Sequence, residues 1–150
     1  MMKRFAFWFC TAFLLFSGCT KSNIIPTEDV TGTVTLDGAP LEGASVAFSP
    51  KSEGQGTPAS AVTDSKGFYV LQTPLGKAQA GTSQGEYTVL VRKYEQKKTG
   101  QKIKNDDGSE IELTQPNNTL PAVYGDPSKT PLSASVKQGK NSYNFELKTK

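Results

Sequence analysis

From Val30 onward the sequence is a run of short segments rich in Val, Thr, Phe and Tyr, many of them alternating apolar with polar, and each soon interrupted by Gly or Pro. A period of two sends successive side chains to opposite faces of a strand, and frequent Gly and Pro keep such segments from running on as helix. The pattern predicts an all-β sandwich or barrel of about seven core strands, with no helix after the N-terminal segment.

The strands can be placed by their alternation. "VTGTVTLD" sets Val30, Val34 and Leu36 on one face, and "ASVAFS" does the same with Val46 and Phe48. Between them, Asp37-Gly38 supplies the positive φ of a tight hairpin turn, closed by Pro40. "SAVTDSKGFYVLQT" reads as two strands around a turn in which Asp64 bonds its own backbone and Gly67 is left-handed, with Phe68 and Val70 predicted to point inward. "GEYTVLVRKY" aims Tyr87, Val89 and Val91 at the core. Near the end, Leu132, Ala134 and Val136, then Tyr143, Phe145 and Leu147, alternate around a Gly-containing turn.

Between Lys93 and Pro131 the pattern weakens. Ile103 on one side of "NDDG", with Ile111 and Leu113 on the other, predicts an extra hairpin projecting from the sandwich, since a structureless loop of that length is uncommon in a compact domain. "KSEGQGTP", residues 51–58, reads as a mobile loop.

The first eighteen residues have a different character. Lys3 and Arg4 precede an apolar run, Phe5 to Phe16, which ends in Ser17-Gly18-Cys19. A basic start, an apolar middle and small residues at the end are the layout of an export signal, and a run of twelve residues is too short for the roughly 20 of a permanent membrane span. "FSGC" resembles the lipobox of bacterial lipoprotein precursors, with Phe16 where Leu is usual. The resemblance implies cleavage between Gly18 and Cys19, acylation of the Cys19 thiol (a palmitate-type lipid anchor) and a mature chain held on the membrane. Two or more acyl chains give stable anchoring where one is marginal. Thr20 follows the cysteine in place of the Asp that typically retains such proteins at the inner membrane, so Gram-negative sorting implies the outer membrane. The expected organisation is a signal helix over residues 1–18, the lipidated cysteine and a short tether over 19–29, and one domain over 30–150.

Composition narrows the chemistry. Loss of Lys3 and Arg4 leaves fifteen basic against fourteen acidic residues, a balance that offers no clustered basic footprint for nucleic acid. The chain has no His, and after processing Cys19 is its sole thiol. That removes Ser-His-Asp and Cys-His catalysis and leaves no ligand set for zinc or thiol redox chemistry. The expectation is a non-enzymatic protein with no cofactor and no metal.

"VTGTVTLDGAPLEGASVAFSP", "AVTDSKGFYVLQT" and "GEYTVLVRK" together resemble the carboxypeptidase regulatory-like domain, over roughly Val30 to Arg92. This resemblance implies an antiparallel Greek-key, transthyretin-like (prealbumin-like) β-sandwich. "LPAVYGDPSKTPLSASVKQGKNSYNFEL" is similar to the tail of small planctomycete-type lipoproteins carrying that domain. It carries no catalytic residue onto this chain: there is no His-x-x-Glu pair, and the end, "LKTK", differs from the Tyr-Arg-Gly-Ser of the related hydrolases.

Four binding candidates remain. "NDDGSE", Asn105 to Glu110, gathers oxygen ligands without the spacing of a calcium loop and reads as a hairpin tip. Asp64 reads as a turn former. Arg92, Lys93, Lys97, Lys98, Lys102 and Lys104 could meet anionic headgroups or glycans, but Glu95, Glu110 and Glu112 favour a solvated strand pair. Tyr94 and Tyr124 fall outside the inward alternation, and a Tyr ring offers a flat face on which a sugar or peptide can stack, although "PAVYGDP" more often packs its Tyr124 on a sandwich edge. The sequence therefore points to a lipid-anchored structural or interaction module of the cell envelope, with an envelope protein as partner. The alternative is a carbohydrate- or peptide-binding accessory lipoprotein using Tyr94, Tyr124 and the hairpin.

Overall fold

The computed structural model describes residues 25–74 and 81–150, so Gly18, Cys19, the signal segment and most of the tether lie outside the described residues. Strand β1 (Val30–Leu36) buries Val30, Gly32 and Val34 and turns outward at the alternate threonines. Asp37 and Gly38, at φ 51° and 85°, reverse the chain into β2 (Ala39–Pro40), which pairs back on β1. This is the expected tight turn, but it does not join β1 to the next long strand. Leu41 and Ala44 are buried as the chain crosses to the second sheet.

That sheet is formed by β3 (Ser45–Pro50), β4 (Ala59–Val62), β6 (Gly85–Arg92) and β9 (Ser133–Val136), in the order β4-β3-β6-β9, every pair antiparallel. The first sheet holds β1, β2 and β5 (Phe68–Val70), together with β10 (Asn141–Ser142) and β11 (Phe145–Leu147). Here the expected antiparallel arrangement gives way to a mixed one. β5 and β2 line one flank of β1 antiparallel, while β10 and β11 run parallel along the other in unbroken register, Val30 opposite Asn141 and Leu36 opposite Leu147. Where that flank is interrupted, Tyr143 N donates to Thr31 O at 2.9 Å and Thr33 N to the Asn144 side chain at 2.9 Å. The fold is thus an open all-β sandwich. With β10 and β11 taken as one interrupted strand and β2 as an appendage of β1, its core strands match the expected count of about seven.

Tyr87, Val89 and Val91 point inward as predicted, as do Val46, Phe48, Ala134, Val136, Phe145 and Leu147. β5 overturns one expectation. Phe68 and Val70 are 40% and 41% exposed, and Tyr69 and Leu71 fill the core instead. The register with β1 explains this: Tyr69 lies opposite Gly32, on the buried face, and Phe68 and Val70 lie opposite the outward Thr33 and Thr31. Gly32 has no side chain, so the Tyr69 ring passes over it and its hydroxyl donates to Tyr143 O at 2.8 Å. Phe48 sits at the centre of the aromatic core, with ring centroids of Tyr87, Tyr143 and Phe145 at 5.8, 6.1 and 6.3 Å. Such tilted and edge-on pairs add to the roughly 1.5–3 kcal/mol from burying each large apolar side chain.

Residues 51–58, expected to be a mobile loop, are tied down. Lys51 N donates to Glu86 O at 2.9 Å, Ser52 bridges Gln55, and Thr57 is buried. One short turn of helix, α1 (Ala122–Gly125), follows Pro121 and packs on β6. No helix among the described residues is long and apolar enough to cross a membrane.

Candidate functional site

The predicted hairpin is present as β7 (Tyr94–Lys104) and β8 (Glu110–Asn118). Among the described residues it pairs only with itself, as a separate two-stranded sheet. Every residue of β7 is exposed, and β8 is exposed but for Glu112 and Asn118, so the pair forms an arm standing off the sandwich. Ile103 lies directly opposite Ile111, with Leu113 on the same face; they are 47%, 50% and 36% exposed. Opposed residues share a face, so the other face carries Lys104 with Glu110 and Lys102 with Glu112. Ion pairs run diagonally across it, Lys102 to Glu110 at 3.0 Å and Lys98 to Glu112 at 2.7 Å.

Backbone hydrogen bonds at its two ends fix which groups of the arm are free. Thr119 N donates to Lys93 O at 2.8 Å at the root, and Asn105 N to Ser109 O at 2.8 Å at the tip. Bonded and non-bonded pairs alternate along an antiparallel ladder, and the register shifts between Lys98 and Lys102. The outward N–H and C=O groups near the tip therefore belong to Lys102 and Lys104 on β7 and to Glu110 and Glu112 on β8. Pro116 falls at another outward position, where its missing N–H costs the ladder nothing.

At the tip, Asp107 accepts from Ser109 N at 2.9 Å and from the Ser109 hydroxyl at 2.6 Å, which holds its carboxyl below the usual range. The Asp107 carboxylate and the Ser109 hydroxyl, which also accepts from the Asn105 amide at 2.9 Å, are thus engaged in shaping the turn, and Glu110 is ion-paired with Lys102. Asp64 likewise binds Lys66 N and Phe68 N at 2.8 and 2.9 Å, and Gly67 is left-handed at φ 72°, as predicted. Asp126 accepts from Ser128 N at 2.9 Å, and Asp37 from the Thr149 hydroxyl at 2.8 Å; both carboxyls are lowered by these bonds. The carboxylates lie on separate turns, and no group of three His, Cys, Asp or Glu side chains placed to hold a metal ion occurs among the described residues.

The two candidate tyrosines have different environments. Tyr94, at the root of the arm, is 58% exposed. Tyr124 is in the core, and its hydroxyl accepts from Lys148 N at 2.9 Å. Its ring is covered because α1 turns it under the sheet, so no face is left open for a ligand. Of the cationic cluster, Arg92 is spent on the sandwich, its guanidinium donating twice to Gly125 O, and Lys93 pairs with Glu95 at 3.3 Å.

Sequence reasoning missed one feature, an open cleft of about 750 Å³ beside the 51–58 loop, lined by Gln55, Thr57, Ser83, Gln84 and Lys137 among others. Behind it the Tyr87 hydroxyl accepts from Thr57 N at 3.1 Å and donates to Ser83 O at 2.7 Å. The Thr82 hydroxyl lies 3.0 Å from it and also donates to Thr57 O. This satisfied network, with Gly56 pressed against the Tyr87 ring, anchors the loop. Among the described residues, those lining the cleft include no carboxylate or thiol. The doubled Gly around Gln55 and the Ser-Gln-Gly run before Tyr87 were the available signals.

No family model and no curated protein matches the sequence. Among solved structures, the chain is similar to a DUF3823 family protein from Parabacteroides merdae, with 14% identity and a TM-score of 0.38, over 81% of this chain and 46% of that one. It is also similar to a 9R-lipoxygenase from Cyanothece, with 13% identity and a TM-score of 0.36, over 81% of this chain and 16% of the other. The chain thus spans less than half the length of either, and likenesses of this degree carry no argument about activity.

Proposed function

We propose that this protein is a lipid-anchored, non-catalytic module of the bacterial cell envelope, which uses the β7–β8 arm as its contact element. The observation that carries the reading is the arm. Two long paired strands with an aliphatic face add nothing to the sandwich core, and a lone hairpin in water is marginal. Exposed aliphatic side chains on an ordered projection mark an interaction site. Support for the anchor comes from the lipobox-like Ser17-Gly18-Cys19 after its apolar run, and Thr20 favours the outer membrane. The resemblance to the carboxypeptidase regulatory-like domain accords with a module of this kind. A non-catalytic role is supported by the absence of histidine and by aspartates committed to separate turns.

Fractionation of cells expressing the full chain tests the anchor. Cys19→Ala should move the protein from the membrane to the soluble fraction, and continued membrane retention would count against it. A second reading, capture of a glycan or peptide, now rests on the open ring of Tyr94 without Tyr124. A glycan and peptide array probed with the full chain and with Tyr94→Ala separates the two, and no signal above background sinks the second.

A further inference from the structure

We infer that the arm's partner is a second copy of this chain, joined edge to edge: β7 of one copy beside β8 of the next. The inference rests on the preceding reading of the arm as the contact element and names what it contacts.

An exposed hairpin has two free edges, and three pairings between copies are open to it: β7 with β7, β8 with β8, or β7 with β8. The charges separate them. β7 carries Lys97, Lys98, Lys102 and Lys104 against Glu95 alone, and β8 carries Glu110 and Glu112 with no basic residue. β7 on β7 sets lysine rows side by side, and β8 on β8 does the same with glutamates; like charges opposed across strands are unfavourable. Charged edges of this kind guard against self-pairing, but here the two edges have opposite sign, so the guard fails for β7 against β8.

Backbone and apolar patterns agree with the charges. The free N–H and C=O groups near the tip belong to Lys102 and Lys104 on one edge and to Glu110 and Glu112 on the other, following from the bonded pairs at tip and root. A second copy that repeats the register inside the hairpin sets Lys102 opposite Glu112, Ile103 opposite Ile111 and Lys104 opposite Glu110. Each new backbone bond then joins a lysine residue to a glutamate residue, and the isoleucines extend one aliphatic stripe across both copies. Pro116 removes a donor from the β8 edge, which confines the pairing to the distal half of the arm.

The pairing is head to tail. Successive hairpins point the same way, each joined copy still offers one free edge of each sign, and the array stays open-ended. Copies held on a single membrane face would share the orientation that this pairing requires.

The test uses full-length chains carrying two different tags, co-expressed and co-captured. In the charge-swapped variant, Lys98→Glu, Lys102→Glu and Lys104→Glu are combined with Glu110→Lys and Glu112→Lys. The swap preserves complementarity within each hairpin and between swapped copies, but sets like charges together where a swapped copy meets a wild-type one. Wild type should capture wild type and the swap should capture itself, while capture between the two falls on the order of tenfold or more. Equal capture in the mixed pair, or no self-capture by wild type, overturns the inference.

A disulfide gives a second readout that does not depend on the swapped hairpin folding. Lys102→Cys in one tagged copy should cross-link to Glu112→Cys in the other well above a Lys102→Cys pair, and equal yields overturn the register. The Cys19→Ala fractionation reads the anchor separately from both, and loss of self-capture leaves the arm open to other envelope partners.

Discussion

Phe48 and Ile103 are both apolar residues alternating with polar neighbours on a strand, yet one is 1% exposed and the other 47%. The difference lies in what faces them. Phe48 looks across to a second sheet and meets Tyr143 and Phe145, whereas Ile103 belongs to a two-stranded ladder over which the described residues place no second layer. Alternation alone makes a strand, and a second layer makes a core. The sandwich therefore holds the stability of the molecule and the arm holds surface that the fold does not use.

Substitutions should divide along that line. The largest loss is expected for Phe48→Ala, about 3–5 kcal/mol in denaturant unfolding, because three aromatic contacts and a buried volume go together. Gly32→Ala should follow at about 3 kcal/mol, since a Cβ there overlaps the Tyr143 carbonyl oxygen and forces β1 away from its parallel flank. A change below about 1 kcal/mol would show that this flank is pliable. Ile103→Ser should shift sandwich unfolding by no more than about 0.5 kcal/mol. A larger shift would mean that the arm shares the core's cooperativity, and the comparison would break.

How much of this was legible in the sequence depended on whether one phase of alternation was available or two. In β1, β3 and β6 one set of alternate residues is clearly the more apolar, and the predicted inward faces hold. In "FYVL" both phases are apolar, so the sequence left the choice to a neighbour. Gly32 on β1 decided it by making room for Tyr69, against Phe68 and Val70. Tyr124 stood between edge packing and binding for a similar reason: a single helical turn has no periodicity to read, and the chain's return over β6 decides that its ring is covered. The arm itself was visible from Ile103, Ile111 and Leu113 around a turn. Its register, and hence which backbone groups face outward, depends on the irregularity between Lys98 and Lys102, which no local pattern announces.

The smallest expected effect is a pH response at the chain's end. Asp37 holds Thr149 through a carboxyl lowered by those same hydrogen bonds. A carboxyl lowered in the folded state stabilises it above the unfolded value, about 3.9, and that contribution is lost as pH falls through the lowered folded value. Thr149 should accordingly loosen at acid pH ahead of the sandwich, seen as an early change in its amide resonance. Asp37→Asn should abolish the titration, and an unchanged profile would show that another group governs this end.

Hydrogen exchange at a concentration where the chain is monomeric tests the division between sandwich and arm most directly. Amides of β3 and β6 should open only with global unfolding, and those of residues 95–117 should exchange through local opening at far lower cost. Equal protection in the two regions would contradict the account, because the arm would then be part of the fold and not a surface held out from it.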